Sequence, residues 1–217
     1  HERYKKDLQK VAEFSNTLRD DNGKLIPFIF RPFHEFDGEW FWWGAPYNEP
    51  EEFKTLWKFT VSYLRDTLKV HNMLYAFSPD IKFESREDYL LRYPGDEYVD
   101  ILGFDDYEDF KYDKNRTNEA RKRIRIVGTL AKEKNKPCAL TEVGYFIKKE
   151  NPDKIDIQRM KYLLETISDM HKYLSYAVFW GNGGGVYCVP VQGDSGEKEF
   201  NAFLKQPFIL LNDNKQK

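Results

Sequence analysis

The chain has 217 residues, with 34 Lys or Arg and 36 Asp or Glu, which gives a formal net charge of −2. This balance argues against a nucleic-acid partner or an anionic membrane surface, because either usually requires a basic patch. Aromatic residues make up 17% of the chain, and such a surplus must fill a core, line a site, or do both.

Apolar residues at helical spacing alternate with short apolar runs along the chain. In chain order they predict helix 4–18, strand 25–34, helix 48–69, strand 72–79, a weak helix 85–92, strand 98–107, helix 117–134, strand 137–145, helix 154–172 and strand 174–182. Asn48 is predicted to cap the second long helix. No apolar run reaches the roughly 18 residues needed to cross a bilayer.

Buried strands separated by amphipathic helices predict an α/β fold with a parallel sheet, either an open doubly wound sheet or a (β/α)₈ barrel. Polar residues collect at the tips of successive strands, namely His34 and Glu35, Asp80, Asp105 with Tyr107, Glu142, and Trp180 with Asn182. A barrel gathers its site from many strand tips, whereas an open sheet concentrates it at one switch point, so the barrel is favoured.

A complete barrel needs eight strands, and the sequence offers five. We therefore expect residues 1–217 to be a single catalytic-barrel domain that lacks its N-terminal βα units and contains about strands 4–8. Five strands alone would leave two unpaired edges and an open core.

Under that numbering, Glu35 and Glu142 end strands 4 and 7, whose tips face each other across the mouth of a barrel. A retaining glycosidase requires two such carboxylates, with one protonating the leaving oxygen and the other attacking the anomeric carbon. The rings of the segment WFWWG after Glu35, and Trp180 from the last strand, suit the apolar faces of sugar rings.

At this point the chain resembles glycoside hydrolase family 26, whose best-known members are endo-β-1,4-mannanases. The resemblance rests on RPFHE followed by WFWWG, on YPGDEYVDILGFDDY, on TEVG and on the final FWGN. It implies that Glu35 is the acid/base and Glu142 the nucleophile, and that Tyr107 hydrogen-bonds the nucleophile. It also implies that Trp40 and Trp180 stack on sugars, while His34 supports the acid/base or touches the sugar.

Other residues near these motifs have weaker signals. Trp43 is a further candidate sugar contact, although adjacent rings cannot all face one ligand. Of Asp105 and Asp106, we expect one to point into the mouth, preferably Asp105, and the other to cap the turn. Arg31 is expected to form a buried ion pair that holds a carboxylate charged.

The predicted function is a retaining endo-β-1,4-mannanase acting on mannan or glucomannan, with a polysaccharide as its partner. The alternatives are a family 26 enzyme acting on β-1,3-xylan or mixed-linkage glucan, and a carbohydrate-binding barrel without turnover. No metal or organic cofactor is expected, because the four histidines form no ligand cluster and Cys138 and Cys188 lack metal-site spacing. Polymeric mannan implies a secreted, periplasmic or cell-surface protein; oligomeric state is left open.

Overall fold

A computed structural model describes residues 1–110, 115–144, 147–148, 157–183 and 186–211. Its main sheet has five parallel strands in the order β1-β2-β3-β4-β6. These strands are β1 (Phe28–Phe30), β2 (Met73–Phe77), β3 (Ile101–Asp106), β4 (Cys138–Val143) and β6 (Tyr176–Phe179). A small antiparallel sheet contains β5 (Ile147–Lys148), β7 (Asn182–Gly183) and β8 (Val186–Tyr187).

Six α-helices alternate with the strands in the described part of the chain: α1 (Glu2–Thr17), α2 (Pro50–Ser62), α3 (Arg86–Leu90), α4 (Arg116–Glu133), α5 (Ile157–Met170) and α6 (Glu197–Leu204). One π-helical turn, Tyr63–Thr67, continues α2. The result is a half-barrel of five parallel strands with alternating helices, which agrees with the predicted α/β class. The predicted order of all five main strands is confirmed.

The core lies between the sheet and the helices. Met73, Tyr75 and Phe77 of β2 pack into it, as do Leu102 and Phe104 of β3, together with fully buried rings from α2 such as Trp57. The alternate residues of the strands face the other side of the sheet, where Leu74 and Ile29 remain more than two-fifths exposed. Asp105 follows the core-facing Phe104 directly, so it emerges on the face away from the helices.

Several predicted boundaries were wrong. The first strand is only Phe28–Phe30, because the chain bends soon afterwards: Phe33 and Glu35 adopt left-handed φ values of 53° and 51°. The sequence patterns gave no sign of the small sheet or of α6. Residue 145 of the fourth predicted strand and residues 154–156 of the last predicted helix lie outside the described residues.

Asn48 does not cap α2, contrary to expectation. The helix begins after Glu49, whose backbone N–H is accepted by the Glu52 carboxylate at 2.9 Å. The Asn48 amide instead donates to the carbonyl oxygens of Trp43 and Gly44, both at 2.9 Å. Asn48 therefore fixes the ring-rich loop to the start of the helix.

In the described part of the chain, no helix has the length and apolar character that crossing a bilayer would require. Both cysteines are buried.

Candidate active site

Arg31 follows β1 and joins the tips of three other strands. Its guanidinium donates to both oxygens of Asp105, at 2.8 and 2.6 Å, to the Ser78 hydroxyl at 3.0 Å, and to Oε1 of Glu142. Asp105 and Glu142 are buried, with 0% and 5% of their surface exposed. The predicted buried ion pair is confirmed, and its one guanidinium serves two carboxylates.

A shift in strand register brings the two buried acids level. The pairing between β3 and β4 slips between Phe104 and Asp105, so that Asp105 lies opposite Glu142. Asp106 turns away and accepts the backbone N–H of Asp109 at 3.1 Å. The two adjacent aspartates therefore divide as expected, with Asp105 in the site and Asp106 capping the turn.

Tyr107 completes the surroundings of Glu142. Its hydroxyl donates to Oε2 at 2.7 Å, while Arg31 holds Oε1, so both oxygens of the carboxylate are engaged. Burial raises the pKa of the Tyr107 hydroxyl, and the negative charge of Glu142 raises it further. Tyr107 therefore stays protonated and acts as a donor to Glu142.

Glu35 approaches the same point from the bent chain after β1. Its backbone N–H donates to the Ser78 carbonyl at 2.9 Å, and its Oε2 accepts the indole N–H of Trp40 at 2.6 Å. Carboxylate oxygens of Glu35, Asp105 and Glu142 all lie within 4.8 Å of one another. Two acids that are 107 positions apart in sequence thus meet at one end of the sheet.

The half-buried position of Glu35 changes its acidity. Burial raises the pKa of the Glu35 carboxyl, the Trp40 hydrogen bond opposes that rise, and the negative charge of Glu142 adds to it. His34 behaves in the opposite sense, since burial and the neighbouring charge of Arg31 lower the pKa of its imidazole. Near neutral pH the site therefore favours a neutral imidazole and a carboxyl group that keeps its proton more readily than usual.

The ring-rich loop is compact, and two glycines allow this. A Cβ on Gly38 would lie 2.5 Å from the Trp40 ring, and a Cβ on Gly44 would lie 2.3 Å from the Gly38 carbonyl oxygen. Trp43 packs inward: its ring stacks on Phe41 at 4.4 Å, and its indole N–H donates to a backbone carbonyl at 2.8 Å. The structure therefore leaves Trp40 at the surface and makes Trp43 part of the support.

Asp37 and Lys82 also belong to this region, although the sequence patterns assigned neither of them a role. The Asp37 carboxylate accepts the backbone N–H groups of Asp80 and Lys82, at 2.6 and 3.1 Å. The Lys82 ammonium lies 5.1 Å from the centre of the Trp40 ring. Burial, together with the charges of Asp37 and Glu35, raises the pKa of Asp80 to about 7.

The model for glycosyl hydrolase family 26 matches residues 1–173. The chain belongs to this family.

Among curated proteins, the family 26 chain is 37% identical over 214 residues to a mannan endo-1,4-beta-mannosidase of Bifidobacterium adolescentis, covering 92% of the chain and 21% of the relative. Among solved structures it resembles GH26C from Muricauda sp., with a TM-score of 0.92, 43% identity and coverage of 99% of this chain and 57% of that one. A modular endo-beta-1,4-mannanase from Cellulomonas fimi gives a TM-score of 0.87 at 36% identity, covering 97% of this chain and 48% of that one.

The family 26 chain thus spans about a fifth of the bifidobacterial relative and about half of each solved chain. Within it, the structure brings together six of the residues singled out from the sequence, namely His34, Glu35, Trp40, Asp105, Tyr107 and Glu142. Trp180 lies at the tip of β6, where its backbone N–H donates to Val143 at 3.1 Å and its side chain is 64% exposed.

Three carboxylates this close together could hold a cation. In this family 26 chain, the Arg31 guanidinium already provides the positive charge, because it pairs with Asp105 and Glu142 simultaneously. This one positive charge is shared by two carboxylates, and an added cation would have to compete with Arg31 for them.

Proposed function

We propose that the protein containing this chain is a retaining endo-β-1,4-mannanase. The observation that carries the proposal is the approach of the Glu35 and Glu142 carboxylates, whose oxygens lie within 4.8 Å of each other. Retaining glycosidases hold their two carboxyl groups about 5–5.5 Å apart, whereas inverting enzymes leave a wider gap for water.

The two carboxylates differ in the way a double displacement requires. Glu35 is the proposed acid/base, because burial raises its pKa and lets it carry a proton to the leaving oxygen. Glu142 is the proposed nucleophile, because Arg31 and Tyr107 stabilise its charged form. In the first step Glu142 attacks the anomeric carbon while Glu35 protonates the departing oxygen. In the second, Glu35 deprotonates the water that releases the sugar.

Substrate contacts are proposed for the remaining candidates. Trp40, near Glu35, and Trp180, at the tip of β6, have exposed rings. Asp105 and His34 lie close to the carboxylates of Glu35 and Glu142. Trp43 is proposed only to support this surface, since its ring is stacked on Phe41. The names of the relatives favour mannan over β-1,3-xylan or mixed-linkage glucan as the substrate. A polymeric mannan would be met outside the cytoplasm, in a secreted, periplasmic or cell-surface setting.

We also propose that the five strands are strands 4–8 of a (β/α)₈ barrel, so that residues 1–217 form part of one catalytic domain. The edge strands β1 and β6 have no partner on their outer sides among the described residues, and Ile29 and Val178 on these strands are each 43% exposed. Three further strands would pair both edges and cover these side chains.

The test is incubation of the full-length protein with β-mannan, with products separated by chromatography and their anomeric form followed by proton NMR. Release of manno-oligosaccharides that first appear as the β-anomer is expected. Initial appearance of the α-anomer would contradict the retaining mechanism. A parallel panel of β-1,3-xylan and mixed-linkage glucan tests the sugar, and binding of mannan without any hydrolysis would favour the non-catalytic alternative.

A further inference from the structure

We propose that Trp42 and Tyr47 form a second sugar-binding surface, which holds a pyranose unit of the departing part of the substrate beyond the unit next to the cleaved bond. This inference rests on the proposed function and deepens it, by assigning a distal position on the leaving-group side. The occupant is a neutral hexopyranose of the same β-linked chain.

The surface is an open depression of about 420 Å³ beside the site, lined by Glu39, Trp40, Phe41, Trp42 and Tyr47. Trp42 and Tyr47 are each 63% exposed, although most rings of this size among the described residues are buried or half-buried. Exposed rings that line one concavity match the apolar face of a pyranose, whose C–H groups pack on aromatic planes. Glu39 is the only lining side chain with a charge, which suits a neutral ligand.

Both rings are fixed before any ligand arrives. The Trp42 ring meets Phe33 and Trp43 edge-to-face, at centroid distances of 6.2 and 5.4 Å, so packing supports it from below. The Tyr47 hydroxyl donates to the Glu39 carbonyl at 3.1 Å. Rings already held in place lose little conformational freedom on binding, which favours a recognition role over a flexible surface.

Trp40 shows on which side of the cleaved bond this surface lies, because Trp40 contacts both the Glu35 carboxylate and the depression. Its ring lines the depression, and its indole N–H holds the Glu35 carboxylate at 2.6 Å. The acid/base protonates the oxygen of the departing sugar, so that sugar lies on the Glu35 side of the cleaved bond. A chain that continues past Trp40 on this side would reach the surface of Trp42 and Tyr47.

The first measurement is the affinity of the full-length protein for mannohexaose, by isothermal titration calorimetry in a Glu142→Ala background that prevents turnover. Adding Trp42→Ala and Tyr47→Ala together should weaken binding about tenfold, the loss expected for two sugar-stacking rings. Adding Phe14→Ala instead is the matched control, because Phe14 is a 59% exposed ring on α1 outside the depression. Equal affinity of the two variants, or no binding of mannohexaose to any of them, would overturn the inference.

The second measurement separates this inference from the proposed function. With Glu142 intact, the ratio of kcat/KM for mannohexaose to kcat/KM for an aryl β-mannobioside should fall about tenfold in the double variant. An unchanged ratio counts against the inference while the mannanase assignment stands. Failure of the unmodified protein to cleave either substrate counts against the proposed function, and the calorimetry still decides the surface. Because Trp42 contacts the buried Phe33, Tyr47→Ala alone is included, and a smaller fall in the same direction is expected.

Discussion

Glu35 and Glu142 lie within 4.8 Å of each other, yet their surroundings are opposite. Glu142 lies near the end of a fully buried strand, and both of its oxygens are held by strong donors, Arg31 and Tyr107. Glu35 lies on a bent loop, is half-buried, and receives one indole N–H, from Trp40. Identical side chains in one site thus receive different donors. Glu142 is held by a guanidinium and a hydroxyl, whereas burial, opposed by one indole N–H, raises the pKa of Glu35. This difference supports the separate tasks proposed for them.

Glu142→Ala removes the more strongly held of the two carboxylates and should have the largest effect on activity. Turnover of mannan should fall by about 10⁴-fold or more, since no covalent intermediate can form. Added azide should restore cleavage and give a product of inverted configuration, because the small anion can occupy the vacated space. Steady-state rates and product NMR provide the measurement. Glu133→Ala, which removes an exposed carboxylate paired with Arg86, is the control that should retain wild-type rates.

Arg31→Met removes the shared cation and leaves two buried acids uncompensated. The free energy of unfolding should fall by about 3 kcal/mol, as for other broken buried ion pairs, and activity should fall with it. Urea denaturation followed by fluorescence measures the change. Arg65→Met removes a guanidinium from an exposed pair with Asp66, and should cost less than about 1 kcal/mol. Equal losses of unfolding free energy for the two variants would mean that the buried Arg31 cluster stabilises the fold no more than an exposed ion pair does.

Tyr107→Phe tests one donor of Glu142 alone. Loss of the hydroxyl should lower kcat by about 10- to 100-fold, because the charge that develops on Glu142 as the intermediate breaks down is no longer stabilised. Pre-steady-state kinetics should show that the hydrolysis of the intermediate slows. Tyr93→Phe is the matched control: it removes a similar hydroxyl–carboxylate bond, to Asp96 at 2.9 Å, outside the site. A Tyr107→Phe rate equal to that control would contradict the role.

Trp40→Phe tests the single donor of Glu35 and should give the smallest effect. The indole N–H stabilises the charged form of Glu35, so its loss raises the pKa of a carboxyl that burial has already raised. Since the proposed acid must be protonated, the basic limb of the kcat/KM profile should move to higher pH. Tyr93→Phe removes a hydroxyl bonded to the Asp96 carboxylate outside the site, and should leave the limb in place. Movement toward lower pH would reverse the assigned sign.

The sequence predicted the features that depend on the regular alternation of strands and helices. Apolar runs gave the order of the five parallel strands, and the position of Glu142 at the end of a buried run gave its place at a strand tip. The ion pair of Arg31 was also predictable, because acids buried at the strand tips need a cation as a partner. The division between Asp105 and Asp106 followed from their adjacency, since neighbours on a strand face opposite ways.

The parts that depend on the path of irregular chain were not predictable. The apolar run before Glu35 suggested a strand of ten residues, but packing of Phe33 against Trp57 and Phe53 bends the chain after three. Asn48 has good helix-capping chemistry, yet it serves the carbonyls of the preceding loop. The role of Asp37 in holding the Asp80–Lys82 segment depends on contacts more than 40 residues apart, for which a local pattern carries no signal.

The left-handed backbone of Phe33 and Glu35 has a consequence for anyone who would transplant this acid. Each such residue costs about 1–3 kcal/mol. At Glu35 the backbone is held by two hydrogen bonds, from Gly38 N–H to its carbonyl at 3.0 Å and from its own N–H to the Ser78 carbonyl at 2.9 Å. At Phe33 the cost is offset by packing, because its ring contacts Trp57 and Phe53, which belong to the separate helix α2. Residues 31–35 copied into another scaffold would therefore not orient the Glu35 carboxylate as it is oriented here. The receiving protein would also need a hydrophobic pocket for the phenyl ring of Phe33.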